Sequence, residues 1–315
     1  MKLRHTLAAG AAAFCLSLSA QAADFINVLT GGTSGVYYPL GVALSQIYGK
    51  ALPNAKSSVQ ATKASAENLN LLQAGRGEIA FTLGDSLNEA WKGNEEAGFK
   101  TPLKKLRGVA AIYPNYIQIV ASADSGIKTL ADLKGKRVAV GAPKSGTELN
   151  ARDIFKGAGM SYKDFAKVEY LPFGESVELM KNRQLDATLI SAGLGVAAVR
   201  DLASAVPIVI VPIPADVVTR IGEAAYQSAA IPADTYKGQT AEVKTVAVQN
   251  FLVTHEGVPA ETVYAMTRSM FDNLDQLTAA HAAARAISKD GAAKGMPVPL
   301  HPGAEKYYRE AGLLK

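Results

Sequence analysis

Hydroxyl side chains set among glycines occur twice in this 315-residue chain, as Gly32-Thr33-Ser34-Gly35 and as Lys144-Ser145-Gly146-Thr147. Each follows an apolar run that reads as a strand and precedes apolar residues at helical spacing. Glycine lets the backbone reverse and come close to a guest, and the first amides of a helix lack intrahelical partners and point back at the turn. Such a turn suits an anion. Two of them face to face could clamp both ends of a dianion, with Thr33, Ser34, Ser145 and Thr147 as hydroxyl donors and Gly35 and Gly146 allowing close approach. Asp85-Ser86 and Ser191-Ala192-Gly193 stand at the ends of two further strands, at the same mouth. A carboxylate at a helix start ordinarily favours the helix dipole; in a ligand site it would meet an amino group or amide. Tyr37 and Tyr113, near strand ends, each offer a flat apolar wall with one polar tip.

Other chemistries find little support. Gly141 to Thr147 comes close to a phosphate-binding loop, but the lysine that should separate Gly146 from the threonine is absent. Lys144 lies within the turn instead, where it either pairs with a carboxylate or stays in solvent. Neither Ser34 nor Ser145 sits in Gly-x-Ser-x-Gly, and with no base beside them they read as donors, not nucleophiles. His255, His281 and His301 have no partner at metal-ligand spacing. No catalytic residue, metal or cofactor is expected.

The elements that must position these residues read strand, helix, strand, helix, strand from Asn27 to Leu83, and the order repeats from Lys136 to Ile190. The pattern predicts two α/β lobes with a cleft between them: lobe I from 23–120 and 211–315, and lobe II, inserted, from 121–210. The crossings between lobes are expected near Ile119–Ser122 and Val209–Pro212. Leu106–Ala111 and Ile117–Ser122 read as two strands joined by Tyr113-Pro114-Asn115-Tyr116, and Glu261–Gln276 and Leu277–Ile287 as two long helices. Between Pro214 and Ala260 the chain reads as less regular.

Residues 1–22 run from Lys2 and Arg4 through an apolar stretch to Ala20-Gln21-Ala22, the order of a secretory signal peptide, with cleavage expected after Ala22. The single cysteine, Cys15, leaves with it, so no disulfide or thiolate chemistry is expected afterwards. Lys2 and Arg4 are two of the 33 basic side chains, so against 28 acidic ones the remainder carries a net +3. So small a surplus says nothing about nucleic acid, and no basic run interleaved with aromatics argues for such a partner, so none is expected. Export without disulfides fits a bacterial periplasm.

Thr30 to Gly41, Leu130 to Thr147, Phe173-Gly174-Glu175-Ser176 with its following helix and strand, and Pro297 to Gly312 together resemble the TAXI family, the solute receptors of tripartite ATP-independent periplasmic (TRAP) transporters. The resemblance implies an α/β, bilobed type 2 periplasmic binding protein of two mixed-sheet lobes, not an enzyme. It would close by a hinge on a small organic acid such as glutamate, glutamine, 2-oxoglutarate or a similar dicarboxylate. It also implies a membrane partner, a permease of large and small subunits that are often fused. A monomer is expected. The other main receptor family of these transporters fixes a carboxylate with an arginine; here Arg76, Arg137, Arg152 and Arg183 lie on or beside helices and strands, outside the glycine turns. A periplasmic enzyme acting on a carboxylate and a sensor module remain the alternatives.

Overall fold

β1 (Phe25–Leu29) buries Ile26, Val28 and Leu29, then runs through the Thr30–Val36 turn into α1 (Tyr37–Ala51). The computed structural model describes residues 25–314. The expected signal peptide, its expected cleavage point and Cys15 lie outside the described residues. α1 presents Tyr37, Leu40, Leu44, Ile47 and Tyr48 to the core at helical spacing. At Gly41 a Cβ would stand 2.3 Å from the Thr30 methyl, so only glycine lets the helix lie this close to the end of β1.

There follow β2 (Lys56–Gln60), α2 (Ser65–Gln73), β3 (Ile79–Leu83), α3 (Gly84–Lys92) and the long β4 (Leu106–Ser122). The second unit comprises β5 (Arg137–Ala139), α4 (Gly146–Gly157), β6 (Lys167–Glu169), α5 (Phe173–Lys181), β7 (Ala187–Ala192), α6 (Ala197–Ala205) and β8 (Ile208–Val211). Next are α7 (Ala215–Ile221), β9 (Tyr226–Ile231), β10 (Val243–His255), α8 (Ala260–Asp272), α9 (Leu274–Ala280) and α10 (Pro302–Glu310). Among the described residues no helix is long and apolar enough to cross a membrane.

The strands form one mixed sheet of order β2-β1-β3-β10-β4-β7-β5-β6, with β8 on β4 and β9 on β10. Its two outer parts are alike. β2-β1-β3 and β6-β5-β7 are each parallel, joined by the helical crossovers that parallel strands need. Each is completed by an antiparallel strand from elsewhere in the chain: β10 sets Asn250–Val253 against Ala80–Leu83, and β4 sets Tyr116–Ala121 against Ala187–Ala192. The winding changes direction at β1 and again at β5, so a crevice opens beyond the carboxyl ends of both. The two hydroxyl-bearing turns lie there.

Three expectations give way. Tyr113-Pro114-Asn115-Tyr116 is no link but the middle of one 17-residue strand, β4, with Pro114 opposite Gln249 and a register shift between Gln249 and Phe251. Proline offers no amide to the ladder, and the irregularity falls where that donor is missing. The less regular region holds α7, β9 and most of β10, and the first C-terminal helix ends at Asp272, where Asn273 leaves helical geometry (φ −130°). β8 pairs with Ile119–Ser122 of β4, so Val209–Val211 packs beside the second parallel unit.

Candidate functional site

A cavity of about 120 Å³ lies between the carboxyl ends of β1 and β5. Water needs roughly 10–15 Å³ by the same kind of measure, so the space suits a small organic molecule. Of the residues expected at the site, Gly35, Tyr37, Tyr113, Ser145, Gly146, Thr147, Ser191 and Ala192 line it.

Thr33, Ser34, Asp85, Ser86 and Gly193 do not. Thr33 and Ser34 face an outer groove with Glu175 and Glu178. Gly193 backs onto Ala283 and the outer edge of Tyr113. Lys144 is exposed and off the wall; its contribution is a carbonyl that accepts the Glu67 amide at 3.2 Å. Arg137 and Arg152 are engaged elsewhere, Arg137 with Asp186 at 2.6 Å and Arg152 with Glu148 at 2.6 Å.

Each wall has a local cause. Ser145 caps α4 by accepting the Glu148 amide at 3.1 Å, leaving the Gly146 and Thr147 amides at the cavity without helical partners. Opposite, Tyr37 stacks on Phe81 with centroids 5.0 Å apart and donates its hydroxyl to Asn250 Oδ1. Asn250 Nδ2 donates to the Tyr113 carbonyl at 2.9 Å and to Asn115 Oδ1 at 2.7 Å, and Asn115 Nδ2 donates to the Ser191 carbonyl at 2.8 Å. This relay ties β10 to β4 and β4 to β7 directly behind the cavity. Burial pushes the Tyr37 and Tyr113 phenols well above their usual range, so both are neutral donors.

The wall also includes Thr62, Lys63, Ala64 and Ser65 at the entry to α2, together with Asn115 and Phe173, which were not anticipated. Ala64 has φ 69° and ψ −143°, a strained conformation for a residue with a side chain, and strain of this kind gathers at binding sites. The Asn115 side chain reaches the site only because β4 is continuous through Pro114.

The two sides touch. The Ala198 amide donates to the Ser34 carbonyl at 3.3 Å and Arg152 Nη1 to the Glu96 carbonyl at 2.7 Å. A Cβ on Gly146 would lie 2.6 Å from both Leu83 Cδ1 and Ser65 Oγ. Asp85 is sealed in this contact. It is 3% exposed, its Oδ2 accepts from Asn150 Nδ2 of α4 at 2.6 Å, and it lies 3.0 Å from Tyr226 Oη, which is 2.6 Å from Asp153 Oδ2. Burial is the largest cause that lifts its pKa to about 7. Asp85 therefore ties α3 to α4 and does not line the cavity.

The histidines have structural work: Nδ1 of His255, His281 and His301 accepts the amide of Gly257, Ala283 and Gly303 respectively.

Solved structures share this fold. The alkanesulfonate-binding protein SsuA from Xanthomonas axonopodis pv. citri, bound to MOPS, matches with a TM-score of 0.51 and 15% identity over 92% of this chain and 94% of its own. A putative L-cystine ABC transporter protein from Listeria monocytogenes gives 0.52 and 16% over 84% and 98%. A protein of Bordetella bronchiseptica RB50 gives 0.54 and 14% over 92% and 82%. The fold is that of the bilobed periplasmic binding proteins. Residues 28–312 match the NMT1-like family.

Proposed function

Because the chain belongs to the NMT1-like family, we propose that it is a periplasmic solute receptor, exported by a signal peptide cleaved after Ala22. It closes on a small organic acid of the glutamate, glutamine, 2-oxoglutarate or dicarboxylate class and delivers it to a TRAP permease of large and small subunits. The observation that carries the reading is the cavity built at both switch points, with the α4 amides on one wall and the Tyr37-Asn250-Asn115 relay on the other. The TAXI-like motifs support the TRAP partner, and the sulfonate-binding neighbour supports an anionic ligand.

We place the hinge where the pairing of β4 and β10 shifts register, at Pro114 and at Gln249–Phe251. On that reading lobe II begins near Tyr116 and returns near Val248, a later return than the 210/211 boundary expected from the sequence. Ligand bridging the lobes stabilises the shut form, and the shut form docks on the permease. Thermal-shift screening of amino acids, oxo acids and dicarboxylates, followed by calorimetry, tests this. Five-carbon acids should raise the melting temperature and be recovered chemically unchanged. A protein that responds to none of them, or that converts them, is not this receptor.

A further inference from the structure

The charge around the cavity is one-sided. Among the described residues no aspartate or glutamate lines it, and the one cationic side chain on its wall is Lys63, an exposed residue. The carboxylate expected to receive a ligand amino group, Asp85, is already taken by Asn150 and Tyr226 outside the wall. Donors, by contrast, are in surplus. The Gly146 and Thr147 amides open the 12-residue α4 toward the cavity. At the opposite wall Tyr113 is 1% exposed, and its hydroxyl is buried with no hydrogen-bond partner. A buried hydroxyl without a partner carries a deficit that an arriving acceptor would relieve. An ammonium group would lose its water here and gain no counter-charge, and a buried unpaired charge is the more costly case.

We infer that the cavity selects a carboxylate carrying an oxo or hydroxyl oxygen and no ammonium group, with the carboxylate at the start of α4 and the second oxygen at Tyr113. The inference rests on the organic-acid receptor reading and narrows it to short oxo or hydroxy acids, against amino acids. 2-Oxoglutarate and L-glutamate make a matched pair of probes, because they differ only at the second carbon.

Calorimetry should find 2-oxoglutarate bound at least about tenfold tighter than L-glutamate, the difference that one well-placed hydrogen bond and one unpaired charge supply at about 1.4 kcal/mol per decade. Tyr113→Phe should lower the affinity for 2-oxoglutarate by about tenfold. It should leave the melting temperature of the free protein unchanged or higher, because the hydroxyl has no partner to lose. L-Glutamate binding as tightly as 2-oxoglutarate, or a phenylalanine variant that keeps full affinity, would overturn the inference while leaving an organic-acid receptor intact. If neither acid binds, the inference falls, and the receptor reading falls with it only if the wider screen of amino acids, oxo acids and dicarboxylates also finds no ligand.

Discussion

Asp85→Asn should remove much of the acid-side pH dependence of this protein. The Tyr226 hydroxyl has one proton and two carboxylate neighbours, Asp153 at 2.6 Å and Asp85 at 3.0 Å. Once it donates to one of them, the other contact needs a proton on a carboxyl group. Asp85 is the better buried, and Asp153 and Glu223 add repulsion to the burial that already raises it. Asp153 is raised as well, again mainly by burial, with Lys156 and Arg152 opposing and Glu89 adding to the rise. A carboxyl group whose folded pKa is raised stabilises fully below its ordinary pKa, and that contribution is lost as pH climbs through the folded value. The window here runs from 3.8 to about 7. At about 1.4 kcal/mol per pH unit, the full loss is on the order of 4 kcal/mol, an upper figure because neighbouring groups relax. Asparagine keeps an oxygen for Asn150, leaves the one Tyr226 proton to Asp153, and has nothing to titrate. Urea unfolding from pH 4.5 to 8 should show wild-type stability falling across the window and a markedly flatter profile for the variant, with the variant the more stable above pH 7. Because α3 and α4 meet at this cluster, ligand affinity should fall with pH in the same direction. Parallel profiles for the two proteins would refute the protonation argument.

Gly146→Ala should act as a wedge. The added methyl would meet Leu83 and Ser65 at 2.6 Å, so calorimetry should show at least about tenfold weaker binding of whichever acid the wild type takes, with the fold retained in thermal melts. Ala64→Gly should relieve the strained turn and raise stability by about 1 kcal/mol, a shift of roughly 2 °C in melting temperature for a chain of this size.

Much of the architecture was legible because local chemistry and global fold agree. The helix through Gln73 reads with Ser65 as its cap, one residue from the observed cap at Ala64, and the two hydroxyl-bearing turns announce themselves by glycine between an apolar run and a helical one. β10 was missed for a physical reason: Val243 to His255 pairs with three different strands and is half-buried in one part and fully buried in another, which blurs period-two alternation. The site was half legible for a related reason. Ser145, Gly146 and Thr147 are fixed by their own turn. Asp85, by contrast, is drawn from the cavity by Asn150 and Tyr226, 65 and 141 residues away. Thr62 to Ser65 and Asn115 reach the wall only through the pairing of strands distant in sequence.

The completion of β3 by β10 bears on the order in which the chain can fold. Until residues near 253 are available, the first parallel unit keeps an unpaired edge at Ala80–Leu83, and β4 lacks its partner from Leu106 to Tyr116. Synthesis therefore delivers most of the chain before its first half can close, which slows folding and leaves sticky edges in any shortened product. On the export route proposed above, such a delay would be an advantage: the length that must stay unfolded during passage would be held open by its own topology.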